Sequence, residues 1–361
     1  MTIYRDEYTK RVQHMNAVLY GLALVTGFQG FSMFFGLKDM IPNGVEGTVL
    51  PAIAAVVIGV VFWMIWHHLI PAAALSTSPH TRIRSVLIGI ALTLATIGTT
   101  SWFLATTFGG DRAVRAHMNT FIGDATRQLS VLNSNAASEQ GLVGLVGEIA
   151  AGWKGMAESE VRGNVSGQKG DGPKADMYRR ASQSMLDLQS SINTTFASYS
   201  KARVLAAAQI DAMTSLANSP ASATADGQAR FASLASKLYQ DYGSMERLTA
   251  LPQVETVGIV KIDTSAEAAT RSDAQTKRLY DAASQIKADR KALEPRIYVP
   301  TSKGAATLEY ASSIPGSWVV AVVIDLIPFI VMLMMMNFMA EAMRPYERRE
   351  PFSVVGGREA A

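Results

Sequence analysis

Cysteine is absent from the 361 residues, and charged side chains are scarce, at 17% of the chain. The absence of cysteine excludes disulfide bridges, zinc sites built on thiolates and thiol nucleophiles. The net charge is only +3, and Lys and Arg are scattered instead of forming a basic face interleaved with aromatic residues. Because nucleic-acid binding depends on such a face, we expect no nucleic-acid partner.

Motifs of common enzyme classes are also missing. The glycine-rich segment at residues 162–174 never reads GxxxxGK followed by Ser or Thr, and it follows no predicted strand, which argues against a phosphate-binding loop. The chain contains no GxSxG, no HExxH and no pair of acids within a hydrophobic stretch. We therefore predict a protein that is not an enzyme, with no catalytic residue, no metal site and no cofactor.

Apolar residues are abundant, at 48% of the chain, and they concentrate in four stretches almost free of charge. Each stretch supplies the roughly 20 apolar residues that a helix needs to cross a bilayer. The first stretch is longer than the core of a signal peptide and no small-x-small cleavage site follows it, so we interpret it as a retained span. The predicted transmembrane helices cover residues 15–37, 49–71, 84–109 and 316–341, and lipid is therefore the first expected partner.

Positively charged residues predict the orientation of these spans. With the N-terminus inside, nine Lys and Arg lie on the inner side near the membrane and four lie on the outer side. The inner residues are Arg5, Lys10, Arg11, Arg82, Arg84, Arg344, Arg348, Arg349 and Arg358, and the outer ones are Lys38, Arg112, Arg115 and Lys303. This bias places both termini, residues 1–14 and 342–361, in the cytoplasm. The order of segments is similar to that of bacterial inner-membrane proteins with three spans, a long helical insertion and a final span, a resemblance that implies no activity.

Between the third and fourth spans, residues 110–315 change from continuous hydrophobicity to helical amphipathicity. The clearest apolar stripe has spacings of three and four, with one shift at Phe196 that is typical of a coiled coil with a stutter. Its members are Tyr178, Ala181, Met185, Leu188, Ile192, Phe196, Tyr199, Ala202, Ala206, Ile210 and Met213. Helices are expected at about 113–153, 176–217, 221–249 and 265–293, and short β-like runs at 257–262 and 297–299 are candidates for a small ribbon. The predicted fold is an all-α membrane protein, with an elongated periplasmic bundle continuous with spans three and four.

Asp325 is the most informative single residue, because an ionisable side chain within a span is costly and usually faces a partner. It lies seven residues beyond Trp318, or about 10 Å inward from the outer interface. Counting a similar depth along the other spans brings Gln29 and Ser32 of span one, and Thr99 and Thr100 of span three, to the same level. Pro328 frees the carbonyl of Ile324 beside the carboxyl group. The functional hypothesis is a proton or cation site, and the structural alternative is an Asp that ties the spans together.

A second polar group is predicted at the inner interface. His67 and His68 close span two, Asn337 and Glu341 close span four, and Arg84 opens span three. Adjacent histidines on a helix point about 100° apart, so they are poor joint ligands for one metal ion. Interfacial contacts with headgroups are the expected role.

These observations favour a non-enzymatic subunit or scaffold of a membrane complex, which binds other membrane proteins or copies of itself through its periplasmic helices. Small residues in spans one and three permit close helix approach, within or between chains. A transporter or channel component that uses Asp325 is the first alternative. A sensory input module that relays to a separate partner is the second, because no cytoplasmic segment is long enough to hold an output domain.

Overall fold

The computed structural model describes residues 2–38, 46–76, 78–165, 167, 169–249, 251, 254, 266–294 and 296–347. Within these ranges the chain is helical, with no strand. The helices are α1 (Thr2–Lys38), α2 (Glu46–Leu75), α3 (Pro79–Val161), α4 (Pro173–Asn218), α5 (Ala225–Arg247), α6 (Ala266–Asp289), α7 (Lys303–Glu309) and α8 (Pro315–Glu347), with a 3-10 turn at Ala311–Ser313. The prediction of an all-α chain is confirmed.

Four of these helices are long and apolar enough to cross a membrane. The segments are Val12–Lys38, Thr48–Leu75, the first part of α3, and Pro315–Ala340. Only 11–39% of the most apolar stretch in each helix is buried inside the chain. Helices that are apolar on their outward faces as well as their inward ones are typical of proteins surrounded by lipid.

The helix that contains the predicted third span extends far beyond it. Helix α3 continues through Gly109 and Gly110 as one helix of 83 residues, so no break separates the predicted span from the helical segment that follows it. The two glycines provide close packing: a Cβ at Gly109 would lie 2.6 Å from Ser317 Oγ, and one at Gly110 would lie 3.0 Å from Lys303 Cβ. The same continuity was wrong for the fourth span, because the 3-10 turn and Ile314 separate α8 from the preceding helix.

The chain divides into two compact units. The span unit comprises residues 1–117 and 301–361, and the central unit comprises residues 118–300. In the span unit, Leu19 of α1, Trp66 and Ile70 of α2, and Met332 of α8 form one buried cluster. Met332 is accommodated by Gly89 of α3, where a Cβ would lie 2.8 Å from the methionine methyl group.

Helices α1 and α2 approach each other closely at a pair of glycines. A Cβ built on Gly30 would lie 2.8 Å from the carbonyl oxygen of Ala55, and the Cα of Gly59 is 3.6 Å from the same point. Small residues at such a crossing let two backbones come together within a membrane, where close packing replaces the hydrophobic effect as the main attraction.

Replacing Gly30 with alanine is expected to destabilise the span unit by about 1–2 kcal/mol, because the new methyl group forces α1 and α2 apart. The thermal unfolding midpoint in detergent measures this effect. Gly21→Ala is the matched control, since a Cβ there has no neighbour within 4 Å. An equal midpoint for the two variants would show that the close approach contributes nothing.

The central unit has its core between α3, α4 and α6. The predicted stripe on α4 is confirmed in its main members, because Tyr178, Ile192 and Met213 are completely buried. Tyr178 stacks on Trp153 of α3, with ring centroids 5.8 Å apart and planes at 18°. One face of α4 therefore packs along α3, and its first half also contacts α6 through the same cluster.

Helix α4 ends at Asn218, one residue beyond its predicted end, but α5 begins at Ala225 and not at residue 221. The reason is an N-cap: the hydroxyl of Thr224 accepts a hydrogen bond from the Gly227 amide at 3.1 Å. A Cβ at Gly227 would lie 2.0 Å from the carbonyl oxygen of Ala221, so only glycine fits this turn.

The residues 290–294 and 296–300, which have no regular secondary structure, pack against α3 and α5. Asn135 binds both backbone groups of Lys291, because its Nδ2 donates to the carbonyl at 2.9 Å and its Oδ1 accepts from the amide at 3.2 Å. The ring of Tyr298 packs against Phe231 at 4.5 Å and Phe121 at 5.4 Å, and these two rings also contact each other. The predicted ribbon is not formed at residues 297–299, which make no strand, and residues 257–262 lie outside the described residues.

Candidate intramembrane site

Two spans present polar side chains toward the interior of the span unit. On α1, Thr26, Gln29 and Ser32 recur at every third residue and are buried. On α3, Thr93, Thr96 and Thr100 recur at three and four. These spacings keep each set on one face of its helix, so two polar faces meet inside an otherwise apolar unit. Their hydroxyls reduce the cost of burial by hydrogen bonding, as Thr93 does to the carbonyl of Gly89 at 2.8 Å.

The carboxyl group of Asp325 lies where these faces meet α8. The residue is 1% exposed. Oδ1 lies 2.7 Å from Gln29 Nε2 and 2.7 Å from Thr100 Oγ1, and Oδ2 lies 2.6 Å from Ser101 Oγ. One acid is thereby hydrogen bonded to groups from two other spans.

The neighbours of this carboxyl are all neutral. In the part of the chain that the structure describes, no Lys, Arg or His side chain makes an ion pair with Asp325. An uncompensated charge in an apolar medium is expensive, whereas a hydrogen-bonded polar group is tolerated. Chemically, the arrangement can hold a proton or tie three helices together.

Three of the six predicted residues meet at one point, namely Asp325, Gln29 and Thr100. Thr99 does not join them, because it is exposed and its hydroxyl donates to Ala95 of its own helix at 2.9 Å. The third partner is instead Ser101, which sequence reasoning missed although it lies at the predicted depth.

Ser32 and Pro328 are both buried, and among the described residues neither makes a hydrogen bond with the carboxyl of Asp325. The Ser32 hydroxyl has no hydrogen-bond partner among the described residues, while its carbonyl accepts from Thr107 Oγ1 at 3.3 Å. Pro328 lies three residues beyond Asp325 within the continuous helix α8. Ser32 therefore adds an unsatisfied hydroxyl to the polar face of α1.

The predicted inner-interface group is not joined by hydrogen bonds or ion pairs among its described side chains. His67 stacks on Trp63, with ring centroids 4.9 Å apart and planes at 12°. His68, Arg84 and Asn337 are exposed. The side chain of Glu341 lies outside the described part, so its place in this group stays a prediction.

Buried polar side chains also occur in the central unit. The hydroxyl of Thr249 lies 2.7 Å from both carboxylate oxygens of Glu139. Tyr199 donates to Asn133 Oδ1 at 3.0 Å. Burial raises the pKa of Tyr199 to about 12; the negative charge of Glu139 adds to this effect and Arg203 opposes it.

This pKa predicts a loss of stability in strong alkali. The unfolded phenol ionises near its ordinary pKa of 10.0, so between that pH and about 12 the folded state binds more protons than the unfolded state. The stability that Tyr199 contributes is complete below pH 10 and is lost as pH rises through 12. Tyr199→Phe should therefore flatten the fall of the unfolding free energy over this window, measured by denaturant titration at each pH. If the unfolding free energy fell equally with pH in the native chain and in Tyr199→Phe, the burial of the Tyr199 phenol would be contradicted.

No protein-family model, curated protein or solved structure matches the chain.

Proposed function

We propose that the chain is a non-enzymatic subunit of a membrane complex, anchored by its four spans and recruiting protein partners, including copies of itself, through its central unit. In this proposal residues 110–315 form a helical bundle in the bacterial periplasm, inserted between the third and fourth spans. The excess of Lys and Arg near the ends predicted to be inside supports cytoplasmic termini in the inner membrane.

The observation that carries the proposal is a set of exposed large apolar residues on α4. The predicted stripe is buried in the core, yet Leu186, Val204 and Leu205 are exposed at 44%, 62% and 59%. Leu186 and Val204 lie 18 residues apart, which is five full helical turns and therefore the same side of the helix. Exposed polar residues, among them Asn193 and Lys201, lie on this side as well. Large apolar side chains exposed among polar ones are typical of surfaces that bind another protein.

The polar site in the spans supports an anchoring role for that unit. Three hydrogen bonds join the carboxyl of Asp325 to groups on α1 and α3, so α1, α3 and α8 are held at one level of the membrane. A tie of this kind fixes the position of the spans, as polar contacts between membrane helices do.

Gentle detergent extraction followed by mass measurement and partner identification tests the proposal. We expect an assembly larger than the 38.8 kDa chain, and we expect Val204→Glu to reduce its mass or remove the partner. Ser184→Glu is the matched control, because Ser184 is exposed on the same helix but lies about 160° around it from Val204. Recovery of a bare monomer from native membranes would overturn the proposal.

A transporter or channel component is the second candidate, supported by the burial of an acid within a span. Ion flux in liposomes that disappears in Asp325→Asn would favour it over the scaffold. Flux equal to that of empty liposomes would leave the scaffold as the proposed function.

A further inference from the structure

The hydrogen bonds of Thr100 allow the protons at the intramembrane site to be counted. Its Oγ1 lies 2.7 Å from Asp325 Oδ1 and 2.9 Å from the carbonyl oxygen of Thr96. Both distances are those of O–H···O hydrogen bonds. A threonine hydroxyl, however, carries a single hydrogen.

An ionised Asp325 does not satisfy both contacts. Neither the carboxylate nor the Thr96 carbonyl then has a hydrogen to donate, so the single hydrogen of Thr100 makes a near-linear hydrogen bond with only one of them. The other contact would bring two oxygen lone pairs together at hydrogen-bond distance with no hydrogen between them.

A protonated Asp325 satisfies every contact at the site. With the proton on Oδ1, the acid donates to Thr100 Oγ1, and Thr100 passes its own hydrogen to the Thr96 carbonyl. Gln29 Nε2 still donates to Oδ1, which keeps a lone pair, and Ser101 still donates to Oδ2. The chain of bonds runs in one direction, from the acid to the backbone of α3.

The surroundings of the carboxyl lead to the same conclusion independently. The groups that contact it are Gln29 from α1 and Thr100 and Ser101 from α3, and none of them is charged or titrates in the accessible pH range. Asp325 is almost completely buried, and a carboxylate without a countercharge is costly inside a membrane.

We propose that Asp325 is an intramembrane proton-binding site, occupied at neutral pH, whose Oδ1–H group donates to Thr100. The ligand is the proton itself, and the site holds it in a directed chain from α8 to α3. This inference goes beyond the proposed function, because it holds whether or not the central unit binds a partner.

Infrared spectroscopy of the purified protein in lipid at neutral pH tests the proposal. We expect a carbonyl-stretch band of a protonated carboxylic acid that shifts when the protein is made with carboxyl-¹³C aspartate and disappears in Asp325→Asn. Thr100→Val removes the acceptor of the acid proton while keeping the shape of the side chain, so it should move the band to higher wavenumber. This second variant tests the proposal even where Asp325→Asn does not fold.

Thr99→Val is the matched control, because Thr99 precedes Thr100 but bonds only within α3. It should leave the band unchanged. Two results would overturn the proposal: a wild-type spectrum without any label-sensitive acid carbonyl band, as expected of an ionised or cation-bound carboxylate, or equal shifts in the two threonine variants.

Discussion

Asp325→Ala is expected to destabilise the span unit by about 2–4 kcal/mol. The substitution leaves the amide of Gln29 and the hydroxyl of Ser101 buried without their acceptor, and each buried unsatisfied donor costs about 1–3 kcal/mol. Thr100 loses less, because it retains the Thr96 carbonyl. The shift in thermal unfolding midpoint, measured in detergent and again in lipid, gives the size of the effect.

Asp325→Asn is the control for this prediction. An asparagine has nearly the same volume; its oxygen still accepts from Ser101 and its NH2 group replaces the Oδ1–H donor to Thr100, so the midpoint should lie closer to that of the native chain. A midpoint for Asp325→Ala equal to that of the native chain would show that the carboxyl does not tie the spans.

Phe231→Ala is expected to have the largest effect on the central unit, about 3–5 kcal/mol. The ring is completely buried and packs against Tyr298 at 4.5 Å and Phe121 at 5.9 Å. Its removal leaves a cavity on the surface that holds residues 290–300, so this segment should become susceptible to protease along with α5. Denaturant unfolding followed by limited proteolysis within residues 118–300 measures both effects.

Leu205→Ala is the control for Phe231, because Leu205 is an apolar residue of the same unit that lies on the exposed face of α4. Its effect should stay within about 0.5 kcal/mol. If both variants unfolded at the same denaturant concentration, the packing described for Phe231 would be wrong.

The spans were predictable from the sequence because the thickness of a bilayer fixes the length of a crossing helix. The polar site was predictable in part for the same reason. Counting residues along each span gives the depth of each residue in the membrane. By this count Asp325, Gln29 and Thr100 lie at the same depth. Depth does not give rotation about the helix axis. Thr99 and Ser101 lie about 100° on either side of Thr100, and only the packing of α3 against α8 distinguishes them.

One further difference arises from a tertiary contact that overrides a local signal. The predicted helix at 265–293 ends at Asp289, because Asn135 of α3 takes both backbone groups of Lys291 and keeps them out of helical hydrogen bonds. Asn135 is far from Lys291 in sequence, so no local pattern reveals the contact.

The sequence predicted the buried side of α4 but not the exposed apolar residues on its other side. The buried stripe has regular spacing and large residues, so it was recognised as a core face. Leu186, Val204 and Leu205 are spread among alanines and polar residues, and their exposure is apparent only once α3 is packed on the opposite side.

The topology of the chain is tested most directly by thiol labelling, since the chain has no cysteine of its own. Lys169→Cys introduces a single thiol in the exposed loop before α4, and Lys10→Cys introduces one near the N-terminus. A membrane-impermeant reagent added to intact cells should label the first protein and should reach the second only after the membrane is opened. Equal labelling of both proteins in intact cells would contradict four spans that place the central unit opposite the termini.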